Sequence, residues 1–203
     1  SDVSANFITK EITKKLATIN SKVLEDADEL KLLFIKLVNN SLDQLKKMYS
    51  NKNNESYSQR NFNTTLIVVI GNNEGGLVFH VGDGVAIIFN HEKTKNFVIS
   101  EPHNGEYVNE TYFITMKNWE KNLRIKKFSN FDSIFLMTDG VTPLATLNNS
   151  REPNYKFLLP LINYIKKNQN TNYMDAINNT LNLDKVKKIA SDDKTILFLI
   201  KDV

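Results

Sequence analysis

Three short acidic motifs each abut an apolar run, and this limits what the chain can fold into. Val81-Gly82-Asp83-Gly84 closes the run Leu77 to Val81, and Met137-Thr138-Asp139-Gly140 closes Ser133 to Met137. Ser191-Asp192-Asp193-Lys194-Thr195 leads into the run Thr195 to Ile200. Runs this short, bounded by Gly and Asp, read as buried strands. A carboxylate at the end of a buried strand cannot retreat into solvent. Several of them, arriving from distant parts of the chain, repel one another if they converge. Hard divalent cations with oxygen ligands relieve that repulsion. The expectation is a magnesium or manganese site built from strand ends.

The elements around these motifs follow a definite order. Ile8, Ile12, Leu16, Ile19 and Val23 recur at spacings of three and four, the mark of an amphipathic helix over about Val3 to Val23. A second helix starts near Asp26, where Asp26 and Glu29 resemble a capping pair. Its apolar stripe is Leu30, Leu33, Phe34, Leu37, Val38, Leu45 and Met48. Asn51 to Gln59 is a polar, aperiodic loop. Thr64 to Ile70 is a continuous β-branched run, which predicts a strand buried on both faces. Leu77 to Val81 and Val85 to Phe89 follow, joined tightly through Gly82-Asp83-Gly84. Phe97 to Ser100, Leu123 to Phe128 and Ser133 to Met137 add further strands. Helices are expected around Pro160 to Lys167 and Tyr173 to Leu181, before the last strand, Thr195 to Ile200. Helices, a meander of antiparallel strands, helices and a final strand describe an α+β layered sandwich.

Composition narrows the function. The 203 residues suffice for one buried core. With no cysteine there is no disulfide framework, no thiolate nucleophile and no zinc site of the cysteine type, which points to the cytoplasm. No apolar stretch is long enough to span a membrane, so no membrane partner is expected. The formal charge of +3 is spread along the chain, which argues against a nucleic-acid surface.

These residues resemble the metal-dependent protein phosphatases of the protein phosphatase 2C type. Gly82-Asp83-Gly84 is similar to that family's Gly-Asp-Ser motif. Phe135 to Val141 resembles its strand ending in Ser-Asp-Gly, and Asp192-Asp193-Lys194-Thr195 its closing Asp-Asn-x-Thr. The stretch Asn104 to Phe113 resembles a bacterial branch of the family. The resemblance implies an α-β-β-α four-layer sandwich with metals at one end of the two sheets. It implies a serine/threonine protein phosphatase acting through two Mn2+ or Mg2+ ions, with a third bound more weakly. Its substrate would be a phosphorylated protein, and a serine/threonine kinase is the implied partner. The family's first strands carry an acidic ligand, a phosphate-binding arginine and an Asp-Gly-x-Gly motif, all before the first long helix. Here that helix starts at Ser1 or Asp2. The expectation is therefore one domain over residues 1–203 that lacks its N-terminal strands and offers too few ligands for two cations.

By the same resemblance, Asp139 and Asp192 are metal ligands and the residues on which catalysis depends. Asp83 either helps hold the third metal or supports its turn. Asp193 supports the site or pairs with Lys194, and Thr138 caps or packs. His103, Glu106 and Asn109 either line a substrate cleft or order their loop. His80 reads as a strand histidine satisfied in the core, His91 as a solvated turn residue, and Trp119 as core. The rival to an enzyme is a non-catalytic phosphatase-like module that binds phosphoproteins or regulates a kinase.

Overall fold

The computed structural model describes residues 2–18, 26–50, 62–102, 111–148, 151–168 and 172–201. The chain divides into two compact units, Ser1–Gly82 with His103–Ile125, and Asp83–Pro102 with Lys126–Val203.

In the first unit, helices α1 (Asp2–Leu16) and α2 (Ala27–Ser50) present one apolar face each. Asp26 caps α2 as expected, its Oδ1 accepting from the backbone N–H of Asp28 and Glu29 at 2.9 and 3.0 Å. Leu30, Phe34, Leu37, Val38 and Leu45 are buried at helical spacing, whereas Met48 at the end of the stripe is exposed. They pack on β1 (Leu66–Gly71) and β2 (Gly75–Val81), an antiparallel pair in register from Leu66 opposite Val81 to Gly71 opposite Gly76. Phe34 is the pivot of this core. Its ring stacks on Phe79 with centroids 4.4 Å apart and meets Trp119 edge-on at 6.5 Å. Trp119 is core, as its sequence setting predicts, and donates Nε1–H to Asn39 Oδ1 at 2.9 Å. β1 is shorter than expected, since Thr64 and Thr65 lie outside it, and most of it is only half-buried. The reason is its place at the sheet edge, in the order β1-β2-β5.

In the second unit, β3 (Val85–Phe89), β4 (Phe97–Ser100), β6 (Ser133–Met137) and β9 (Ile196–Ile200) form a sheet of order β4-β3-β6-β9, all neighbours antiparallel. β5 (Arg124–Ser129) belongs to the three-stranded sheet and precedes β6 by a tight turn. Between β6 and the final strand lie α3 (Thr142–Ala145), a short hairpin of β7 (Thr146–Leu147) and β8 (Glu152–Pro153), and helices α4 (Tyr155–Lys167), α5 (Tyr173–Leu181) and α6 (Asp184–Lys187). Phe135, Met137, Val85 and Ile87 pack with Leu158 and Ile162 of α4.

Two sequence expectations are corrected here. α4 begins at Tyr155, and Pro160 lies inside it. Proline removes one intrahelical hydrogen bond, but Pro160 is exposed and the buried stripe Leu158, Ile162 and Ile165 holds the helix through it. β9, expected as a buried strand, is only half-buried. Leu197 and Leu199 are 62% and 51% exposed because β9 is an edge strand, and only Ile196, Phe198 and Ile200 join the core. Among the described residues no helix is long and apolar enough to cross a membrane.

Phe34→Ala removes a ring that touches both α2's neighbours and the sheet. It is expected to cost ~3–5 kcal/mol of stability, the usual range for a buried Phe. Urea unfolding measures it, and a loss below about 1 kcal/mol would show that this core collapses around the gap.

Candidate functional site

Asp83, Asp139 and Asp192 all belong to the second unit. Each sits just outside the sheet β4-β3-β6-β9, at the start of β3, the end of β6 and shortly before β9. The antiparallel register explains the meeting. Val85 is opposite Met137 and Met137 is opposite Ile196, so the residues beyond these pairs leave the sheet at one end.

Past the last strand pair, the backbones remain joined. Thr138 N–H donates to Thr195 O at 3.1 Å, and Thr195 N–H donates to Thr138 Oγ1 at 3.0 Å. Thr138 Oγ1 also donates to Asp193 O at 3.2 Å. Thr138 therefore ties the Asp139 turn to the Asp192 loop. Gly140 allows the contact to be this close: a Cβ there would lie 2.2 Å from Asp193 O and 3.0 Å from Asp192 O. Only glycine leaves room for a backbone at that distance. The chain into Asp83 is likewise set by a glycine, since Gly82 has φ 120°, in the left-handed region that L side chains avoid.

The electrostatics follow from this packing. The Asp139 carboxyl is pushed above its ordinary value of 3.8, first by partial burial, next by the charge of Asp83, and then by the charge of Asp192. Hydrogen bonding opposes the shift: Asp139 Oδ1 accepts from Gly140 N–H at 2.9 Å. Asp192 reaches solvent and its Oδ1 accepts from Asp193 N–H at 2.8 Å. The carboxylates of Asp83 and Asp192 thus both act on Asp139. All their donors are hard anionic oxygens, with no thiol or imidazole among them, which is the donor chemistry of magnesium or manganese. Asp139 and Asp192 are the two carboxylates whose backbones are joined here, and they are the ones that would hold such a cation. Among the described residues no three acidic or histidine side chains close tightly enough to hold a metal by themselves. Water would complete the coordination, as is usual for magnesium.

Other expected site residues fall differently. His103, Glu106 and Asn109 lie outside the described residues. Lys194 does not pair with Asp193, because its Nζ donates to Asp192 O at 2.8 Å. His80 is buried in β2. His91 is not simply solvated. Its Nδ1 lies 2.5 Å from Asp132 Oδ2, and Asp132 is buried, accepting also from Ser133 Oγ at 2.6 Å and from His91 N–H at 2.9 Å. Sequence spacing gave no signal of this pair, because the two residues lie 41 apart. A polar cleft beside Asp192 was also missed. It is lined in part by Asn178, Asn182, Lys187 and Lys194.

A family model described as protein phosphatase 2C matches residues 1–182. Serine/threonine phosphatase Stp1 from Staphylococcus aureus superimposes with a TM-score of 0.58 at 15% identity, covering 99% of this chain and 78% of that one. A bacterial serine phosphatase superimposes with a TM-score of 0.56 at 15% identity, covering 98% of this chain and 79% of that one. At this identity the two structures establish the fold, and the α+β architecture expected from the sequence is the one they share. None of the curated proteins matches the chain.

The raised Asp139 carboxyl yields a signed prediction. The folded state binds this proton more tightly than the unfolded state, so the group costs stability as pH rises from 3.8 through its raised value. Asp139→Asn keeps an oxygen for Gly140 N–H and removes the charge. The metal-free variant should be more stable than wild type at pH 7, with the difference shrinking as pH falls towards 4. Urea unfolding in chelator at several pH values measures this. A variant less stable than wild type at neutral pH would show that the carboxylate is favourably placed without a cation.

Proposed function

The chain belongs to the protein phosphatase 2C family, and on that premise we propose that it is a metal-dependent serine/threonine protein phosphatase. Its substrate is a phosphorylated protein, with a serine/threonine kinase or that kinase's target as the partner, and its place is the cytoplasm. The observation that supports the reading is the placement of Asp83, Asp139 and Asp192 at one end of the sheet β4-β3-β6-β9. Carboxylates gathered from three parts of the chain are the donor chemistry of a hard cation.

Phosphate monoesters hydrolyse extremely slowly in water. Divalent cations held by Asp139 and Asp192 would lower the pKa of water and neutralise phosphoryl charge, which is the chemistry the reaction requires. The protein's share is positional. Asp139 and Asp192 lie on segments that are hydrogen-bonded to each other through Thr138 and Thr195, which keeps the two segments adjacent. Gly140 keeps the two segments in contact. Asp83, arriving on the turn before β3, either helps hold a third, weaker cation or supports its turn. Asp193 acts through the loop, its backbone N–H orienting Asp192 Oδ1.

A non-catalytic phosphatase-like module is the second reading. It is favoured by one observation, the absence among the described residues of three side chains that close on a metal unaided. Activity separates the two. Protein expressed from its full reading frame should hydrolyse a phosphothreonine peptide in manganese and lose that activity in excess chelator. Asp139→Ala should abolish turnover, whereas Thr138→Ala, which loosens the support of the ligands, should lower it about 10–100-fold. Turnover unchanged in chelator, or equal small effects from both substitutions, would remove this site from the chemistry. Intact binding of phosphopeptide with no hydrolysis would establish the module.

Gly140→Ala tests the close approach separately. The added methyl must displace the Asp192–Asp193 backbone, so the manganese-induced rise in Tm should shrink markedly while the metal-free protein remains folded. A full manganese response in this variant would show that the spacing of the two segments is immaterial.

A further inference from the structure

Arg124 opens β5 and has no part in the chemistry described above. Only three of the 26 basic residues of this chain are arginines. A guanidinium in a chain that otherwise uses lysine points to a task that suits its planar, many-donor fork.

The task is visible at the end of β2. Half-buried Arg124 donates from Nη2 to Gly82 O at 2.7 Å, the short length of a charge-assisted bond. Gly82 is buried, and a buried carbonyl needs a donor. The bond also has a directional effect. The atoms from Gly82 Cα to Asp83 Cα lie in one peptide plane, so holding Gly82 O sets the direction in which the chain enters Asp83. Glycine flanks Asp83 on both sides, and glycine leaves the backbone free to rotate. The turn therefore needs restraint from outside its own sequence. Thr65 supplies part of it: a Cβ on Gly82 would lie 2.3 Å from Thr65 Cγ2, so Thr65 fits closely against the glycine. Arg124 supplies the rest by fixing the carbonyl. Asp83 then arrives at the end of the sheet β4-β3-β6-β9 that Asp139 and Asp192 share.

We propose that Arg124 is a positioning residue, which holds the Gly82–Asp83 peptide in one orientation and thereby aims the Asp83 carboxylate. Its effect on the turn rests on the Gly82 bond alone, and its effect on turnover rests on the phosphatase reading. Arg124 is not a catalytic residue, because it acts through the backbone that carries Asp83.

The orientation is measured first, in chelator and with no cation present. In 15N-labelled protein, the residual dipolar coupling of the Asp83 N–H reports the tilt of that peptide plane. Wild type should give the coupling of the single orientation in the structure. Arg124→Met keeps an unbranched stem and removes the donors. Its Asp83 coupling should fall towards the average of a rotating peptide, while the couplings of β2 and β5 stay as in wild type. Arg124→Lys keeps one charged donor group and should fall between the two. Turnover is measured next, on a phosphothreonine peptide in manganese. Arg124→Met should lower kcat about tenfold, the scale of a lost outer contact, and leave KM unchanged. In an Asp83→Asn background the same substitution should cost little more, because both changes act on one group. An Asp83 coupling indifferent to Arg124→Met, or equal kcat losses with and without the Asp83 carboxylate, overturns the proposal. So does a loss of couplings throughout β2 and β5 in both Arg124 variants, which would make the residue a general structural support. An Asp83 coupling that depends on Arg124, in a protein that hydrolyses no phosphopeptide, would refute the phosphatase reading and leave the restraint of the turn standing.

Discussion

Thr138 and Thr195 hydrogen-bond to each other in both directions just beyond the ends of β6 and β9, and the site depends on that join. It continues the strand register after the strands have stopped. Asp139 and the Asp192 loop are carried along by it, next to each other, although their charges oppose the arrangement. Backbone hydrogen bonds and the sheet's buried core, Phe135 and Met137 above all, supply the opposing force. The Asp139 carboxyl, raised first by burial and then by its acidic neighbours, is therefore a local cost held in place by a strong neighbour.

The same logic separates what the sequence made legible from what it did not. The strands bearing Asp83, Asp139 and Asp192 could be read because each is a short apolar run stopped by Asp and Gly, a local signal. The cap at Asp26 and the stripe of α2 could be read for the same reason. The errors arose where the decisive neighbour is distant in sequence. Pro160 looked like a helix start because proline favours that position, but its helix is held from before it by buried packing of Leu158. The Ile196 to Ile200 run looked like a buried strand because all five residues are apolar, yet its edge position exposes Leu197 and Leu199. No spacing rule links His91 with Asp132.

A fold shared at 15% identity with Stp1 shows how few positions need be kept for this architecture. Core positions tolerate exchange among apolar residues of similar volume. Gly140 does not share that freedom, since its missing side chain is what lets two backbones touch. Asp139 is constrained twice, by the turn it begins, where Thr142 N–H donates to its carbonyl at 3.1 Å, and by the charges around it. The constraints on this chain are thus concentrated at one end of one sheet.

Anomalous diffraction at the manganese edge, from crystals of the protein grown with manganese, tests the central claim most directly. The account predicts a strong peak beside the carboxylates of Asp139 and Asp192, at the end of the sheet where Asp83 also lies. A peak placed elsewhere, such as beside the buried Asp132 and His91, or no peak at saturating manganese, would contradict it.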